Sequence, residues 1–225
     1  MLKIWLKFCL LSDTLFGRGE GSTEKVDSEI CHDEWGLPYL GGRSLKGILQ
    51  EECANILFAL RLQKTKDTSF PMAAQRLFGV PGSTIRDQSI MHVGDARLPL
   101  NLRRAVEVGI KRHEITPQQV LESLTTVRRQ TAISAETAAA RDETLRAMRV
   151  ILRNAIFEAP LSFSAEPTEK ELSLLAACVM AFRRVGSGRN RGCGEVCAGL
   201  LDRSLHDITL THYRLFKEEV LKCVP

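Results

Sequence analysis

The sequence predicts an α+β fold, and three observations support this. The first residues alternate between apolar and other side chains, so that Leu2, Ile4, Leu6, Phe8 and Leu10 share one face of a strand. Two later segments, 45–60 and 168–184, carry apolar residues at helical spacing. Strand-like segments follow at 89–98, 155–166 and 194–202. Strand, helix, strand, repeated once, is the order of the ferredoxin-like fold.

Local signals set the ends of the predicted helices. Ser44 is predicted to cap the first long helix, and Thr168, with Glu171 three residues later, has the capping-box pattern. Shorter helices are predicted at 71–79, 117–124 and 208–223.

The middle of the chain is predicted to be an insertion. Residues 127–154 mix basic, small and β-branched side chains, which favours an extended arm or hairpin over a core element. We find no internal repeat and no clean linker, so we expect a single elaborated domain over residues 1–225. Its insertion lies at approximately 100–150.

Composition narrows the class of protein without naming a partner. The chain is 44% hydrophobic and 26% charged, which is typical of a globular protein, and its net charge of +4 is too small to indicate a polyanion partner by itself. The seven cysteines have no regular spacing, so we expect a reducing, cytoplasmic location rather than a secreted disulfide framework. The opening residues are predicted to form a strand rather than a signal peptide, and no apolar run is long enough to span a bilayer.

A glycine-rich stretch, "VGSGRNRGCGEV" at 185–196, is the strongest local signal for function. Four arginines at 183, 184, 189 and 191 fall within nine residues that contain no carboxylate, and glycines at 186, 188, 192 and 194 let backbone N–H groups approach a phosphate. The alternative is a helix cap at Gly186 followed by a hairpin turn. The stretch matches neither a P-loop nor a dinucleotide-binding fingerprint, so it favours the backbone of single-stranded RNA.

Two further basic segments extend this hypothesis. Arg43, Ser44 and Lys46 lie at the predicted start of the first long helix, where free N–H groups favour phosphate. Arg128 and Arg129 form a third basic spot, which is equally typical of a solvated face. The interpretation requires the glycine-rich stretch and the start of the first long helix to converge on one polynucleotide.

The acidic loop at 17–34 contains the candidates for catalysis. Its six acids, Glu20, Glu24, Asp27, Glu29, Asp33 and Glu34, are equally typical of a solvated loop, and the loop by itself favours none of them. His32 beside Asp33 is a weak candidate for a general acid or base, because such side chains are usually just exposed. A zinc site formed by Cys31, His32, Cys193 and Cys197 is a poor match to structural zinc spacings.

Several motifs resemble those of one protein family. "DEWGLPYLGGRSLKGIL" at 33–49 resembles the "LPYIPGSSLKG" signature of the RAMP superfamily of CRISPR-associated proteins, and the glycine-rich stretch resembles the terminal loop of that superfamily. "LFG" at 77–79, "GDARL" at 94–98 and the segment 127–151 are similar to parts of type III effector subunits. Together these motifs cover most of the chain in the expected order.

The resemblance implies a ferredoxin-like or RRM-like core with a thumb-like arm and a C-terminal glycine-rich loop. It implies a subunit that holds guide crRNA by its backbone, beside target RNA and other effector subunits. The residues that we expect to contact RNA are Arg43, Ser44, Lys46, Arg128, Arg129, Arg184, Gly188, Arg189, Arg191 and Gly192.

The resemblance leaves the chemistry open among three roles. In the first, Asp27 supports cutting of target RNA with Mg²⁺ or another divalent cation. In the second, the chain is similar to the type III-D capping subunit, which holds the 5′ handle of the guide without catalysis. In the third, it processes guide RNA without metal and uses a base such as His32.

Overall fold

The centre of the protein is an antiparallel sheet with helices packed on one face. The computed structural model describes residues 2–17, 26–63, 69–80, 88–131, 146–189 and 191–223. The strands are β1 (Lys3–Leu10), β2 (Tyr39–Leu40), β3 (Met91–Val93), β4 (Ala96–Arg97), β5 (Thr125–Gln130), β6 (Arg146–Ile151), β7 (Ile156–Phe163) and β8 (Val196–Leu201). The helices are α1 (Gly42–Leu62), α2 (Ser69–Phe78), α3 (Leu100–Lys111), α4 (Pro117–Leu124), α5 (Glu169–Ala181) and α6 (Thr209–Cys223).

The strand order confirms the predicted fold class. The main sheet runs β2–β4–β7–β1–β8, with β3 also paired to β7, and every pairing is antiparallel. With β3 and β4 taken as one interrupted strand, the order read from the other edge is β8, β1, β7 and β3–β4. This is the fourth–first–third–second order of a βαββαβ unit. The single strand predicted at 89–98 is therefore two short strands, interrupted at Gly94. The chain passes so close to β7 there that a Cβ at Gly94 would lie 2.7 Å from the Pro160 ring.

The core lies between the sheet and helices α1 and α5. Alternate residues of β1 are fully buried, as the period of two predicted. Phe8 stacks on Phe157 of β7 with ring centroids 5.5 Å apart, and it meets the edge of Phe182 after α5 at 5.6 Å. The aromatic contacts join the first strand, the third strand of the unit and the second crossover helix.

Helix α5 has the predicted start and an earlier end than predicted. The Thr168 hydroxyl accepts from the Glu171 N–H, and the Glu171 carboxylate accepts from the Thr168 N–H, which confirms the capping box. Glu171 is buried and also receives two hydrogen bonds from Arg76, at 2.9 and 3.0 Å. The helix ends at Ala181 rather than 184, because residues 183–185 pair with residues 194–196 instead of continuing the helix.

The start of α1 differs from the prediction. Gly41 is the N-cap residue, and Ser44 lies exposed within the first turn, so the prediction of Ser44 as the cap is wrong. The carboxylate of Asp95, in the β3–β4 connection, accepts a hydrogen bond of 3.0 Å from the Gly42 N–H and so supplies the cap from outside the helix. Gly42 is packed so closely that a Cβ would lie 2.2 Å from the Val93 carbonyl oxygen.

The insertion contains two helices and a hairpin. Helix α3 was not predicted, because its cap residue, Pro99, makes no side-chain hydrogen bond and several of its apolar residues are exposed. Helix α4 has the predicted start, with a capping box between Thr116 and Gln119. Strands β5 and β6 form the predicted hairpin, whose outer part, 132–145, falls outside the described residues.

None of the helices in the described ranges combines the length and the apolar character that crossing a membrane requires.

Asp95 gives a testable link between pH and stability. Burial alone would raise the pKa of its carboxyl, but the hydrogen bond from the Gly42 N–H and the guanidinium of Arg97 together hold that pKa below its ordinary value. The carboxylate therefore stabilises the fold above the pKa of about 3.9 that Asp has in an unfolded chain, and this stabilisation is lost as pH falls through the lower folded value.

We expect Asp95→Ala to lower the free energy of unfolding by about 1 kcal/mol at neutral pH, the typical value of a helix cap. In urea titrations, the difference from the wild type should shrink toward strongly acid pH. Asp95→Asn keeps an acceptor for the Gly42 N–H and serves as the control with the smaller loss. A difference that is constant across the pH range would contradict the assignment.

Candidate nucleic-acid interface

The glycine-rich stretch is the loop of a β-hairpin. The Val185 N–H donates to the Gly194 carbonyl at 2.8 Å, and the Val196 N–H donates to the Arg183 carbonyl at 2.9 Å. The alternative of a hairpin turn is thus confirmed as geometry, whereas the helix cap at Gly186 is wrong because α5 ends at Ala181. The hairpin leads directly into β8 at the edge of the sheet.

The four glycines have two different roles. At the base of the loop, Gly186 and Gly194 have positive φ angles, and an added Cβ would lie 2.3 Å from the Leu15 carbonyl oxygen and 2.0 Å from that of Val185. At the tip, Gly188 and Gly192 have φ of +74° and are exposed, with no such clash. The base glycines hold the loop in place, and the tip glycines leave backbone accessible to a ligand.

The arginines of the loop point to an anionic ligand. Arg183, Arg184 and Arg191 are exposed, and within the described parts of the chain no carboxylate pairs with them. Arg184 donates to the Arg189 carbonyl. Arg189 forms an ion pair with Glu51 of α1 at 3.3 Å, in which both side chains are largely exposed, and such a pair contributes little to stability. A phosphate can therefore displace Glu51 at small cost.

A cleft of about 930 Å³ lies in front of these arginines. Its walls are the glycine-rich loop, Glu51 and Glu52 of α1, and Gln130 and Met148 of the β5–β6 hairpin. Ser28, in the segment that follows the undescribed residues 18–25, also lines it. Loop, helix and hairpin thus share one open, largely basic surface.

The first long helix connects the two segments that were predicted to converge. Arg43, Gly47 and Glu51 follow one another at a spacing of four residues, so they lie along one face of α1. Arg43 and Gly47 are exposed, and Glu51 contacts the glycine-rich loop. Arg43 and the loop contact are therefore about 12 Å apart along the helix axis, at 1.5 Å per residue.

Lys46 and the N-terminus of α1 are less available than predicted. The Lys46 ammonium donates to the Ser89 hydroxyl at 2.7 Å and to the Met91 carbonyl at 3.2 Å, and partial burial lowers its pKa. The first N–H of the helix is bound by Asp95. Only Arg43 and Ser44 of this segment present exposed side chains, so Lys46 acts as a link between α1 and β3.

The two arginines of strand β5 also differ from each other. Arg128 forms an ion pair of 2.6 Å with the well-buried carboxylate of Asp13, so its guanidinium helps to hold the hairpin against the segment after β1. Arg129 is exposed, and no carboxylate of the described residues pairs with it. Of this pair, Arg129 is the residue that remains available to RNA.

Asp27 is exposed and attached to the hairpin. Its backbone N–H donates to the Ala147 carbonyl at 2.8 Å, and its Oδ2 accepts from the Ala147 N–H at 2.7 Å. The other carboxylate oxygen, Oδ1, receives no hydrogen bond from the described residues. The chain following Asp27 runs beside β6 and lines the cleft at Ser28.

Asp27 by itself provides an incomplete set of metal ligands. In the portions of the chain that the structure describes, no three His, Cys, Asp or Glu side chains lie close enough to hold a metal ion together. Cys31, His32, Cys193 and Cys197, whose spacing matches structural zinc sites poorly, are therefore not assembled into one. A divalent cation at Asp27 would take one ligand from its free oxygen and the rest from RNA phosphates and water, which is a common arrangement for Mg²⁺.

His32 and Asp33 stabilise the turn that precedes β2. The Asp33 Oδ1 accepts from the N–H groups of Trp35 and Leu37, at 3.1 and 3.0 Å. The Nδ1 of His32 lies 3.0 Å from the Asp33 carbonyl oxygen. These contacts give both residues a structural role, and the structure does not bring their side chains together with Asp27.

On α1, sequence reasoning missed three residues of the interface, namely Gly47, Glu51 and Glu52. Arg43, Gly47 and Glu51 follow one another at intervals of four residues, a signal that could have placed them on the same helix face. Glu52 is adjacent to Glu51 and carries no separate signal.

The fold and this surface define a ferredoxin-like protein with an inserted hairpin and a basic, glycine-rich terminal loop. The family model of the RAMP superfamily matches residues 7–197, so the chain belongs to the RAMP superfamily. No curated protein matches the sequence significantly.

Two solved structures have the same fold. One is described as the cryo-EM structure of the type III-B Cmr-beta bound to cognate target RNA; its similar chain is 13% identical, with a TM-score of 0.62, and the match covers 89% of this chain and 97% of the other. The second is the type III-B Cmr-beta in the apo state, at 14% identity and a TM-score of 0.59, covering 90% and 98%.

Proposed function

We propose that this protein is a crRNA-binding subunit of a type III CRISPR ribonucleoprotein. It holds the sugar-phosphate backbone of the guide in the cleft between the glycine-rich loop, α1 and the β5–β6 hairpin. The observation that carries the proposal is the group of exposed guanidinium groups of Arg183, Arg184 and Arg191, which no described carboxylate neutralises. A cluster of unpaired cations on a loop that exposes its backbone is suited to phosphate groups.

The comparisons support this proposal in two ways. The chain is a member of a superfamily whose model matches most of its length, including the α1 segment and the glycine-rich loop. A chain with the same fold belongs to a type III-B complex described as bound to target RNA. The proposal extends that setting to this chain, with guide RNA, target RNA and other effector subunits as partners.

Gly47 provides independent support within the chain. Glycine in a helix interior costs about 1 kcal/mol relative to alanine. A Cβ built at Gly47 meets no described atom within 4 Å apart from the neighbouring residues and backbone of its own helix, so packing against other elements does not require glycine there. We infer that the close approach of a ligand backbone along the face from Arg43 to Glu51 requires it.

Removing the free arginines should change the salt dependence of RNA binding. We expect Arg183→Ala combined with Arg191→Ala to weaken binding of an unstructured single-stranded RNA. The slope of log K against log salt should become shallower by about 1.4, at roughly 0.7 per phosphate contact. Fluorescence anisotropy at several salt concentrations measures both quantities.

The matched control is Arg104→Ala combined with Arg214→Ala, which removes the same charge from exposed positions on α3 and α6, outside the cleft. If both double variants show the same slope, the loop arginines act only through net charge and the proposed contact is wrong.

Comparing guide RNA with and without its 5′ handle tests the capping role, because a capping subunit requires the handle.

Gly47→Ala should separate stability from binding. Alanine should raise the free energy of unfolding by about 1 kcal/mol, because it is the better helix former. RNA affinity should fall by roughly 5- to 10-fold, equivalent to about 1–1.4 kcal/mol of lost contact. Urea denaturation and anisotropy measure the two effects. A variant that is more stable and binds RNA as the wild type does would show that no ligand approaches this face.

Cleavage of target RNA is the second candidate function, and the position of Asp27 favours it. Asp27 is exposed, is fixed by two hydrogen bonds to Ala147, and is followed by a residue that lines the cleft. When bound there, Mg²⁺ would neutralise charge that develops on the scissile phosphate. Asp27 itself would orient the ion through its free oxygen.

Two substitutions distinguish catalysis from attachment of the hairpin. Asp27→Asn removes the charge but keeps an oxygen that accepts the Ala147 N–H, whereas Asp27→Ala removes both. In the assembled complex with labelled target RNA and Mg²⁺, we expect both variants to cut at least about 100-fold more slowly. Asp27→Asn should retain guide binding. Cutting by Asp27→Asn at the wild-type rate would assign Asp27 to attachment alone.

A further inference from the structure

Two cysteines face each other across the edge of the main sheet. The register of β1 and β8 places Cys9 directly opposite Cys197. The buried side chains of β1 are those at even positions, so Cys9 and its partner lie on the sheet face away from the core. Cys197 is exposed, Cys9 is half-buried, and both are free thiols.

The Cα–Cα distance expected for this pair lies within the range found in disulfide bonds. The Leu11 N–H donates to the Glu195 carbonyl at 2.7 Å, which makes that opposing pair a hydrogen-bonded one. Opposing pairs alternate, so the pair two residues further along each strand, Cys9 and Cys197, is hydrogen-bonded as well. The Cα atoms of such pairs are about 5.5 Å apart, which falls in the range of about 4.4–6.8 Å found in disulfides.

We propose that Cys9 and Cys197 form a redox-active dithiol that a low-molecular-weight disulfide converts to a cross-strand disulfide. The thiolate of one cysteine attacks a sulfur of the small disulfide, forming a mixed disulfide and releasing one small thiol. The second cysteine attacks the protein sulfur of that mixed disulfide and releases the other small thiol. The protein loses two hydrogen atoms, and the small disulfide is reduced to two thiols.

The bond is expected to be reversible rather than structural. In a hydrogen-bonded pair the Cβ atoms lie at the upper end of a range of about 4.5–5.5 Å, whereas a relaxed disulfide needs about 3.5–4.5 Å. Forming the bond therefore draws the two strands together against their backbone pairing. Strained and exposed disulfides are the easily reduced ones.

Three other cysteines of the described residues provide an internal contrast. Cys53 of α1 and Cys178 of α5 lie close together inside the core. Burial, and then the neighbouring Cys53, raise the pKa of the Cys178 thiol well above its ordinary value, so it offers little thiolate. Cys193, within the glycine-rich loop, is buried as well. Of the two cysteine pairs, Cys9 and Cys197 form the accessible one.

The bond would act on the element next to the loop. Cys197 lies two residues after Glu195, which pairs with Arg184 at the base of the glycine-rich hairpin. The disulfide therefore fixes the start of β8 to β1. This inference does not depend on RNA binding, because it rests on strand register and thiol exposure alone.

Exchange with oxidised glutathione tests the proposal on the full chain. After incubation and blocking of free thiols with N-ethylmaleimide, the protein is digested with trypsin and then with a glutamate-specific protease. The second digestion cuts at Glu195 and so separates Cys193 from Cys197. Mass spectrometry should find the Cys9 and Cys197 peptides joined, with a mass lower by two hydrogen atoms than the sum of the two free peptides, and dithiothreitol should reverse this.

The matched variants are Cys9→Ser and Cys197→Ser, in each of which the remaining cysteine should stop at the mixed disulfide with glutathione. Cys53→Ser should form the cross-strand bond as the wild type does. Recovery of Cys9 and Cys197 as separately blocked or glutathione-bound peptides in the wild type would overturn the proposal. A bond from Cys197 to Cys193, or to a second molecule, would overturn it as well.

Discussion

The position of the glycine-rich loop depends on the close approach of its backbone to the segment that follows β1. The Ser187 N–H donates to the Leu15 carbonyl at 2.9 Å, and the Gly194 N–H donates to the Asp13 carbonyl at 3.2 Å. Gly186 fits only because it has no Cβ, since that atom would overlap the Leu15 carbonyl oxygen. The first strand therefore determines where the loop lies, and with it where the arginines of the loop stand relative to α1.

The cations of the protein fall into two groups, those with partners inside the protein and those without. Lys46 donates to Ser89 and Met91. Arg149 pairs with Glu29 at 2.9 Å. Arg43 and Arg191 carry the same charge but are exposed. Around the cleft, the free cations lie along the loop, on the exposed face of α1 and at Arg129 of β5. Phosphate groups of an RNA backbone could therefore pair with these guanidinium groups without breaking contacts that stabilise the fold.

Sequence reasoning predicts features that depend on neighbouring residues and misses contacts between distant ones. The periods of β1, α1 and α5, and the capping box at Thr168, depend on local chemistry, so they predict the fold class correctly. The cap of α1 was predicted wrongly because Asp95 supplies it from 53 residues away. No local pattern shows such a contact.

The candidate site follows the same rule. Composition alone identifies a basic, glycine-rich loop, but it cannot show that Arg128 is paired with Asp13 while Arg129 is free, because the two are adjacent and chemically identical. Their alternation on a strand sends them to opposite faces, and only the packing of the hairpin decides which face meets a carboxylate. Sequence reasoning therefore identifies the basic segments, whereas the ion pairs that distinguish their individual arginines depend on tertiary packing.

The attachment of the hairpin bears on whether Asp27 can serve catalysis. Glu29 and Arg149 form an ion pair in which both side chains are nearly buried, and Arg149 also donates to the Thr125 hydroxyl of β5. Together with the two hydrogen bonds between Asp27 and Ala147, this ion pair joins residues 26–30 and the hairpin into one unit. Asp27 is carried by that unit beside the cleft, and it cannot move toward a bound phosphate without the hairpin. A carboxylate held in this way is positioned before the substrate arrives, which is the condition under which a single charged group accelerates a reaction most.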